Sequence, residues 1–159
     1  MAILIDLNQV VISGLQSQVK ACKIHALNKD LCRHLILNSI RANVNKFKKE
    51  YGEVIICCDS RKYWRKEIFP FYKAGRKKAR EKSDLDWTVI FEVLDEIRSD
   101  LRTIFPYKVI EVERAEADDV IGTLVPRISA HEPVMIVSAD GDFKQLHQYP
   151  NVKQYNQML

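Results

Sequence analysis

The sequence predicts an α/β domain with a mainly parallel central sheet flanked by helices. Two observations carry that expectation: four short, β-branched-rich apolar runs, and amphipathic helical stripes between them. The runs are nearly continuous rather than alternating, which suits strands covered on both faces, and strand–helix alternation is the pattern of a parallel sheet. At 159 residues, with 47% hydrophobic and 29% charged content, the chain reads as one globular domain spanning 1–159. A chain of that length buries roughly two-thirds of its unfolded surface. No internal repeat or low-complexity linker divides it.

"AILIDL" at 2–7 is the first strand. From Asn28 to Tyr51, Leu31, Leu35, Ile40, Val44 and Phe47 recur at helical steps. "VIICCD" at 54–59 is the second strand. From Asp84 to Ile104 the cleaner stripe of Trp87, Ile90, Phe91, Leu94, Ile97, Leu101 and Ile104 predicts another helix. "YKVIEV" at 107–112 is the third strand, and a helix is expected from near Glu116 to about Ile128, kinked or shortened by Pro126. "VMIVS" at 134–138 is the fourth strand.

Composition narrows the function classes. There is no run of 18 or more apolar residues and no basic stretch ahead of an apolar segment at the start, so neither a membrane span nor a signal peptide is expected. Cys22, Cys32, Cys57 and Cys58 show no CxxC spacing, which predicts a reduced, cytoplasmic protein without zinc. His25, His34, His131 and His147 have no site-like spacing. The formal net charge is +4, but residues 61–82 hold ten Lys/Arg against Glu67 and Glu81, a net of +8. A basic segment is attached to an acidic body.

The acids gather where an open α/β sheet binds its ligands, outside the carboxyl ends of the strands. Asp6 closes the first strand and Asp59 the second; Glu116, Asp118 and Asp119 open the helix after the third; Asp140 and Asp142 follow the fourth. Each alone has a plain structural explanation. Asp6 can cap a following helix, Asp118 or Asp119 can serve a helix start, and Asp140 and Asp142 can turn with Gly141. Collectively they need cations or strongly raised pKa values, because two carboxylates about 4 Å apart repel by roughly 4 kcal/mol at an effective dielectric near 20. All-oxygen donors favour hard ions such as Mg²⁺ or Mn²⁺, and six acids suit a hydrated ion pair of the kind that drives in-line phosphoryl displacement. An EF-hand is excluded because Asn151 stands where its terminal Glu belongs. An aspartyl-nucleophile phosphatase is excluded because the first strand ends Asp6-Leu7-Asn8 rather than DxD.

The basic segment interleaves its cations with Tyr63, Trp64, Phe69, Phe71 and Tyr72. Exposed rings beside cations suit base stacking as well as phosphate neutralisation, while packing of Trp64 and Phe71 on the domain is the competing use. Following directly on Asp59, the segment should overhang the acidic edge, with Arg65, Lys66, Lys73, Arg76, Lys77 and Arg80 facing nucleic acid. Within it, "RKKAREK" at 76–82 has good helix propensity.

These features together resemble the 5′ nucleases related to flap endonucleases, on the side of the T-even phage ribonucleases H. The stretches that carry the resemblance are "LIDLNQ" around Asp6, "RHLILNSI" at 33–40, "YWRKEIFPFYKAGRKKARE" at 63–81, "EADD" at 116–119 and "SADGDFKQLHQYPNVKQY" at 138–155. The resemblance implies a PIN-like catalytic domain with a basic helical arch at about 61–82, cutting 5′ flaps and removing 5′ nucleotides from duplex DNA or RNA–DNA during replication. It implies that Asp6, Asp59, Glu116, Asp118 and Asp140 build a first Mg²⁺ or Mn²⁺ site, some through waters, and that Asp142 contributes to a second. Arg65, Lys73 and Arg80 match arch residues, with Lys73 and Arg80 near the scissile phosphate and Lys73 stabilising its developing charge. Asp119 matches a family acid without an assigned role. Implied partners are 5′-flap or forked DNA, RNA–DNA hybrid and replication proteins, in the cytoplasm of a host if the chain is phage-encoded.

The family pattern continues with a Gly-Asp-x-x-Asp segment and a duplex-gripping helical motif, both beyond Leu159. A truncated domain, one piece of a split nuclease completed by a second chain, and a naturally short protein all fit. The expectation for these residues alone is weak binding of a second ion and poor activity. Two other readings stand beside the nuclease: a PIN-type single-strand ribonuclease, disfavoured by the long basic segment, and a nucleic-acid-binding module without catalysis.

Overall fold

A computed structural model describes residues 1–22, 27–83 and 85–157. Its centre is a five-stranded, all-parallel sheet in the order β3-β2-β1-β4-β5, formed by β1 (Ala2–Asp6), β2 (Glu53–Cys58), β3 (Lys108–Glu111), β4 (Val134–Val137) and β5 (Val152–Tyr155). β1 is the central strand and buried throughout, which is why its sequence shows no polar alternation. In register, Ile3 pairs with Val54 on one side and Met135 on the other.

The helices are α1 (Leu7–Ala21), α2 (Lys29–Tyr51), α3 (Trp64–Ile68), α4 (Gly75–Glu81), α5 (Trp87–Thr103) and α6 (Ala117–Ser129), with a 3₁₀ helix at Gly141–Gln148. Alternate strand residues feed two cores. Ile3, Ile5, Ile56 and Val137 pack with α1, α2 and α5 on one face, and Leu4, Ile55, Val134 and Ile136 pack with α6 and the 3₁₀ helix on the other. α2 starts on Asn28, whose side chain accepts from the Leu31 amide, and stops at Gly52, whose φ of 72° turns the chain into β2.

Several predicted boundaries move. Asp59, Val112 and Ser138 lie just beyond their strands, so the acids extend from strand ends into the loops. The helix expected from Asp84 begins at Trp87, where Asp86 caps it; Asp84 and His25 lie outside the described residues. α6 runs through Pro126 to Ser129, one residue past its expected end near Ile128, so the proline does not shorten it. α1, α3, β5 and the 3₁₀ helix are additions to the predicted elements. Cys57 and Cys58 are both fully buried, and burial pushes both thiols up, so they serve as packing. All four cysteines are free thiols. No helix among the described residues is long and apolar enough to cross a membrane.

Candidate metal centre

The strand order creates the site. The chain runs outward from β1 through β2 to β3, then returns to the other side of β1 as β4, so the loops after β1 and β4 diverge at a topological switch point. Asp6 leaves β1 there and caps α1, its Oδ1 accepting from the Gln9 amide at 3.2 Å. Its Oδ2 accepts from Ser138 Oγ, just after β4, at 3.2 Å. Asp140 caps the 3₁₀ helix, its Oδ1 accepting from the Asp142 amide at 2.9 Å.

From the other side, Asp59 follows β2. Its Oδ1 accepts from the Ala117 amide at 2.7 Å, at the start of α6, and its Oδ2 from Asn8 Nδ2 at 2.7 Å. One carboxylate thus ties the β2 loop to α1 and α6. Glu116 is 1% exposed in its side chain and receives Arg65 Nη1 on Oε2 at 2.8 Å and Lys73 Nζ on Oε1.

Electrostatics link these acids. Burial first, then the nearby charges of Asp118 and Asp59, push Asp6 up to about 7. Burial and the charges of Asp140, Asp59 and Glu116 push Asp118 up to about 6, against the pull of Lys73. Asp6, Asp59, Glu116, Asp118 and Asp140, drawn from four separate segments of the chain, therefore share one electrostatic site. Asp142 is exposed and stands on the wall of an adjoining cleft of about 420 Å³, with Arg65, Tyr72, Asp118, Asp119 and Phe143.

The donor set fits hydrated divalent ions. Every side-chain donor is oxygen, two carboxylates are destabilised as anions by burial first and then by their neighbours, and Asn8 Oδ1 is buried beside Asp59 without a hydrogen-bond partner. No group of three or more His, Cys, Asp or Glu side chains among the described residues forms a ready-made cage. Lys73 and Arg65 supply the positive charge at Glu116.

The basic residues divide into four groups. Lys73 reaches the acids, with φ at 57°. Burial works against its charge, but Glu116 outweighs this and raises it. Lys66, Arg76 and Lys77 are exposed. Arg80 lies over the Phe91 ring on α5, 5.4 Å from its centroid, rather than among the acids. Arg65, expected on nucleic acid, instead makes a two-pronged pair with Asp119, at 2.7 and 2.8 Å. Burial alone would raise Asp119; the hydrogen bonds from Arg65, the Glu116 amide and Trp64 hold it below the ordinary range. Phe69 and Phe71 are 56% and 74% exposed, so Phe71 does not pack on the domain. Trp64 is half-committed: its Nε1 donates to Asp119 at 3.2 Å. Asn8 and Ser138 are the residues that sequence reasoning missed, although both lie inside the quoted motifs.

Comparison with known proteins agrees with this architecture. Residues 16–159 match the family described as 5′-3′ exonuclease, N-terminal resolvase-like domain. The chain is 42% identical over 159 residues to a ribonuclease H of Enterobacteria phage T4, covering 98% of this chain and 52% of that protein. It is 32% identical over 112 residues to a 5′-3′ exonuclease of Buchnera aphidicola subsp. Schizaphis graminum, covering 70% of this chain and 36% of that one. The chain thus spans about half, or less, of the length of these curated relatives. A bacteriophage T5 flap endonuclease, solved as a pseudo-enzyme–product complex with DNA and metal ions, shares the fold with a TM-score of 0.71. That likeness covers 99% of this chain and 55% of the other, at 19% identity. With residues 16–159 matched to the family's model, the chain belongs to the 5′-3′ exonuclease family through its N-terminal resolvase-like domain.

Proposed function

We propose that this domain hydrolyses phosphodiester bonds at the 5′ ends of DNA or RNA–DNA hybrid, as the divalent-metal-dependent catalytic part of a 5′-3′ exonuclease and flap endonuclease. The observation that carries the reading is the contact of Lys73 with Glu116 beside electrostatically coupled carboxylates that four separate segments bring to one switch point. A permanent cation opposite a buried glutamate, at the edge of an electrostatically crowded acidic site, suits an anionic substrate brought to bound ions. Relatives named as ribonuclease H and 5′-3′ exonuclease support the same reaction class.

Asp6, Asp59, Glu116, Asp118 and Asp140 would hold Mg²⁺ or Mn²⁺, and Asp142 would face a second ion from the cleft wall. Bound there, the ions supply activation of water and stabilisation of the leaving oxygen. The chain supplies the rest. Asn8 and the Ala117 amide hold both oxygens of Asp59, and Ser138 and the Gln9 amide hold those of Asp6, so the two carboxylates are oriented in advance. Lys73 would move from Glu116 to a phosphate oxygen and stabilise the charge that develops on it. Lys66, Arg76 and Lys77 present exposed charge to the backbone of a 5′-flap or forked substrate, and Arg80 would join them from its place over Phe91.

The test is cleavage of a 5′-labelled flap by this chain with Mn²⁺ or Mg²⁺, beside Asp140→Asn. Metal-dependent cleavage that falls by at least about 100-fold in the variant is the expected result. Cleavage that survives both Asp140→Asn and chelation would overturn the assignment of the acids.

A further inference from the structure

Asp119 has the sequence context of a metal ligand, directly beside Asp118 in "EADD", yet its oxygens are already taken. Oδ1 accepts from Arg65 Nη2 at 2.7 Å. Oδ2 accepts from Arg65 Nη1 at 2.8 Å, the Glu116 amide at 2.9 Å and Trp64 Nε1 at 3.2 Å. Three donors on one oxygen leave it little capacity for a cation. The side-chain donors belong to the foot of the basic segment, 54 and 55 residues earlier in the chain.

That foot cannot order itself. α3 has five residues and none is buried, whereas isolated helices shorter than about 12 residues are marginal even with favourable composition. What holds it is polar attachment to the segment leading into α6. Tyr63 bridges Arg114 in parallel register, the Trp64 amide donates to the Arg114 carbonyl at 2.9 Å, and Arg114 pairs with Glu67. The Arg65–Asp119 fork is the partly buried member of this set. Eight residues after Arg65, Lys73 returns to the other oxygen of the same Glu116 that Arg65 touches. The foot therefore sets where Lys73 emerges.

We propose that Asp119 is a positioning residue: with Arg65 and Trp64 it latches the foot of the basic segment to the start of α6, holding Lys73 in register with the acidic centre. Arg65 is accordingly part of the latch and not a phosphate ligand. The proposal rests on the nuclease reading for its consequence in catalysis, but the latch itself is testable without turnover.

The experiment uses the full chain, as wild type, Asp119→Asn, Arg65→Lys and the double variant. Three quantities are read: amide hydrogen exchange of residues 63–69, Mn²⁺ affinity by calorimetry, and kcat and KM on a 5′-flap substrate. Arg65→Lys keeps the charge but loses the planar fork, so it should fail as Asp119→Asn does. Each single variant is expected to speed exchange in 63–69 by about tenfold, as for loss of a charge-assisted pair, with the double variant no faster than either. Mn²⁺ affinity should stay within about twofold of wild type, and kcat should fall about tenfold while KM moves little. Unchanged exchange in β1 and β4 reports an intact fold, and Arg65→Lys carries the test should Asp119→Asn unfold.

Loss of Mn²⁺ affinity in Asp119→Asn with exchange of 63–69 unchanged would make Asp119 a ligand and end the proposal. Additive effects in the double variant, or wild-type behaviour of Arg65→Lys, would end it too. Should the wild-type chain cleave nothing, the nuclease reading fails by itself, and the exchange and Mn²⁺ results still decide the latch.

Discussion

At Asp6 the backbone and the acidic centre make different demands on one carboxylate. Its Oδ1 caps α1 and its Oδ2 takes the Ser138 hydroxyl, both inside a site where the residue is 5% exposed. Burial and the charges of Asp118 and Asp59 put it near 7, far above the ordinary 3.8. The folded state therefore binds more protons than the unfolded chain between about pH 4 and 7, so stability from this group is present at low pH and lost as pH rises through 7. The difference is worth about 4 kcal/mol at most. Asp118, near 6, acts in the same direction. In chelator, Asp6→Asn should consequently raise the melting temperature at pH 8 and leave it nearly unchanged at pH 4, while abolishing Mn²⁺ binding. Melts at the two pH values check this, and equal destabilisation at both would refute it. The plain structural explanations of these acids hold: Asp6 and Asp140 are helix caps and Asp119 completes a capping box. Charge at strand ends was readable because topology alone brings strand ends together. Asn8 and Ser138 carry no charge, and Arg65 meets Asp119 only through tertiary contact, so no local pattern announces them.

Among the elements, those buried on two faces were the legible ones. β1 up to Ile5 and the whole of β4 are apolar because both sides are covered, and α5 shows its stripe because only one side is. β5 is an edge strand, "VKQY", half-exposed and held by backbone pairing to β4, so its sequence contains no apolar run. α3 has no buried residue and hence no stripe. α1 mixes β-branched residues with an internal glycine, and only its cap was visible. That glycine has a packing reason: a Cβ on Gly14 would stand 2.6 Å from Ser39 Oγ and 3.3 Å from Ser39 Cβ on α2. Alanine would gain about 1 kcal/mol in helix propensity, whereas overpacking costs about 1–3 kcal/mol. Gly14→Ala should therefore be destabilised by about 1 kcal/mol in urea unfolding, and the same change made on Ser39→Ala should be neutral or stabilising, because the oxygen is gone. Equal losses in both backgrounds would remove Ser39 as the cause.

At the scale of the whole molecule, charge is segregated: a net of +8 in residues 61–82 faces a body of net −4. The ten cations of that segment are not equivalent. Arg65 and Lys73 are spent on Asp119 and Glu116, whereas no ion pair among the described residues engages Lys66, Arg76 or Lys77. Free cations release counterions when they meet a phosphate backbone; cations already paired inside the protein release few. Flap binding in chelator should therefore weaken steeply between about 50 and 200 mM salt, and replacing Lys66, Arg76 and Lys77 together by Gln should reduce the log–log slope by about two to three. Arg65→Gln should leave the slope nearly unchanged although it too removes a positive charge. Fluorescence anisotropy of a labelled 5′ flap across that range measures both. A slope that responds to Arg65 and ignores the other three would mean that the paired arginine opens onto the substrate, and that the exposed face of the basic segment points away from it.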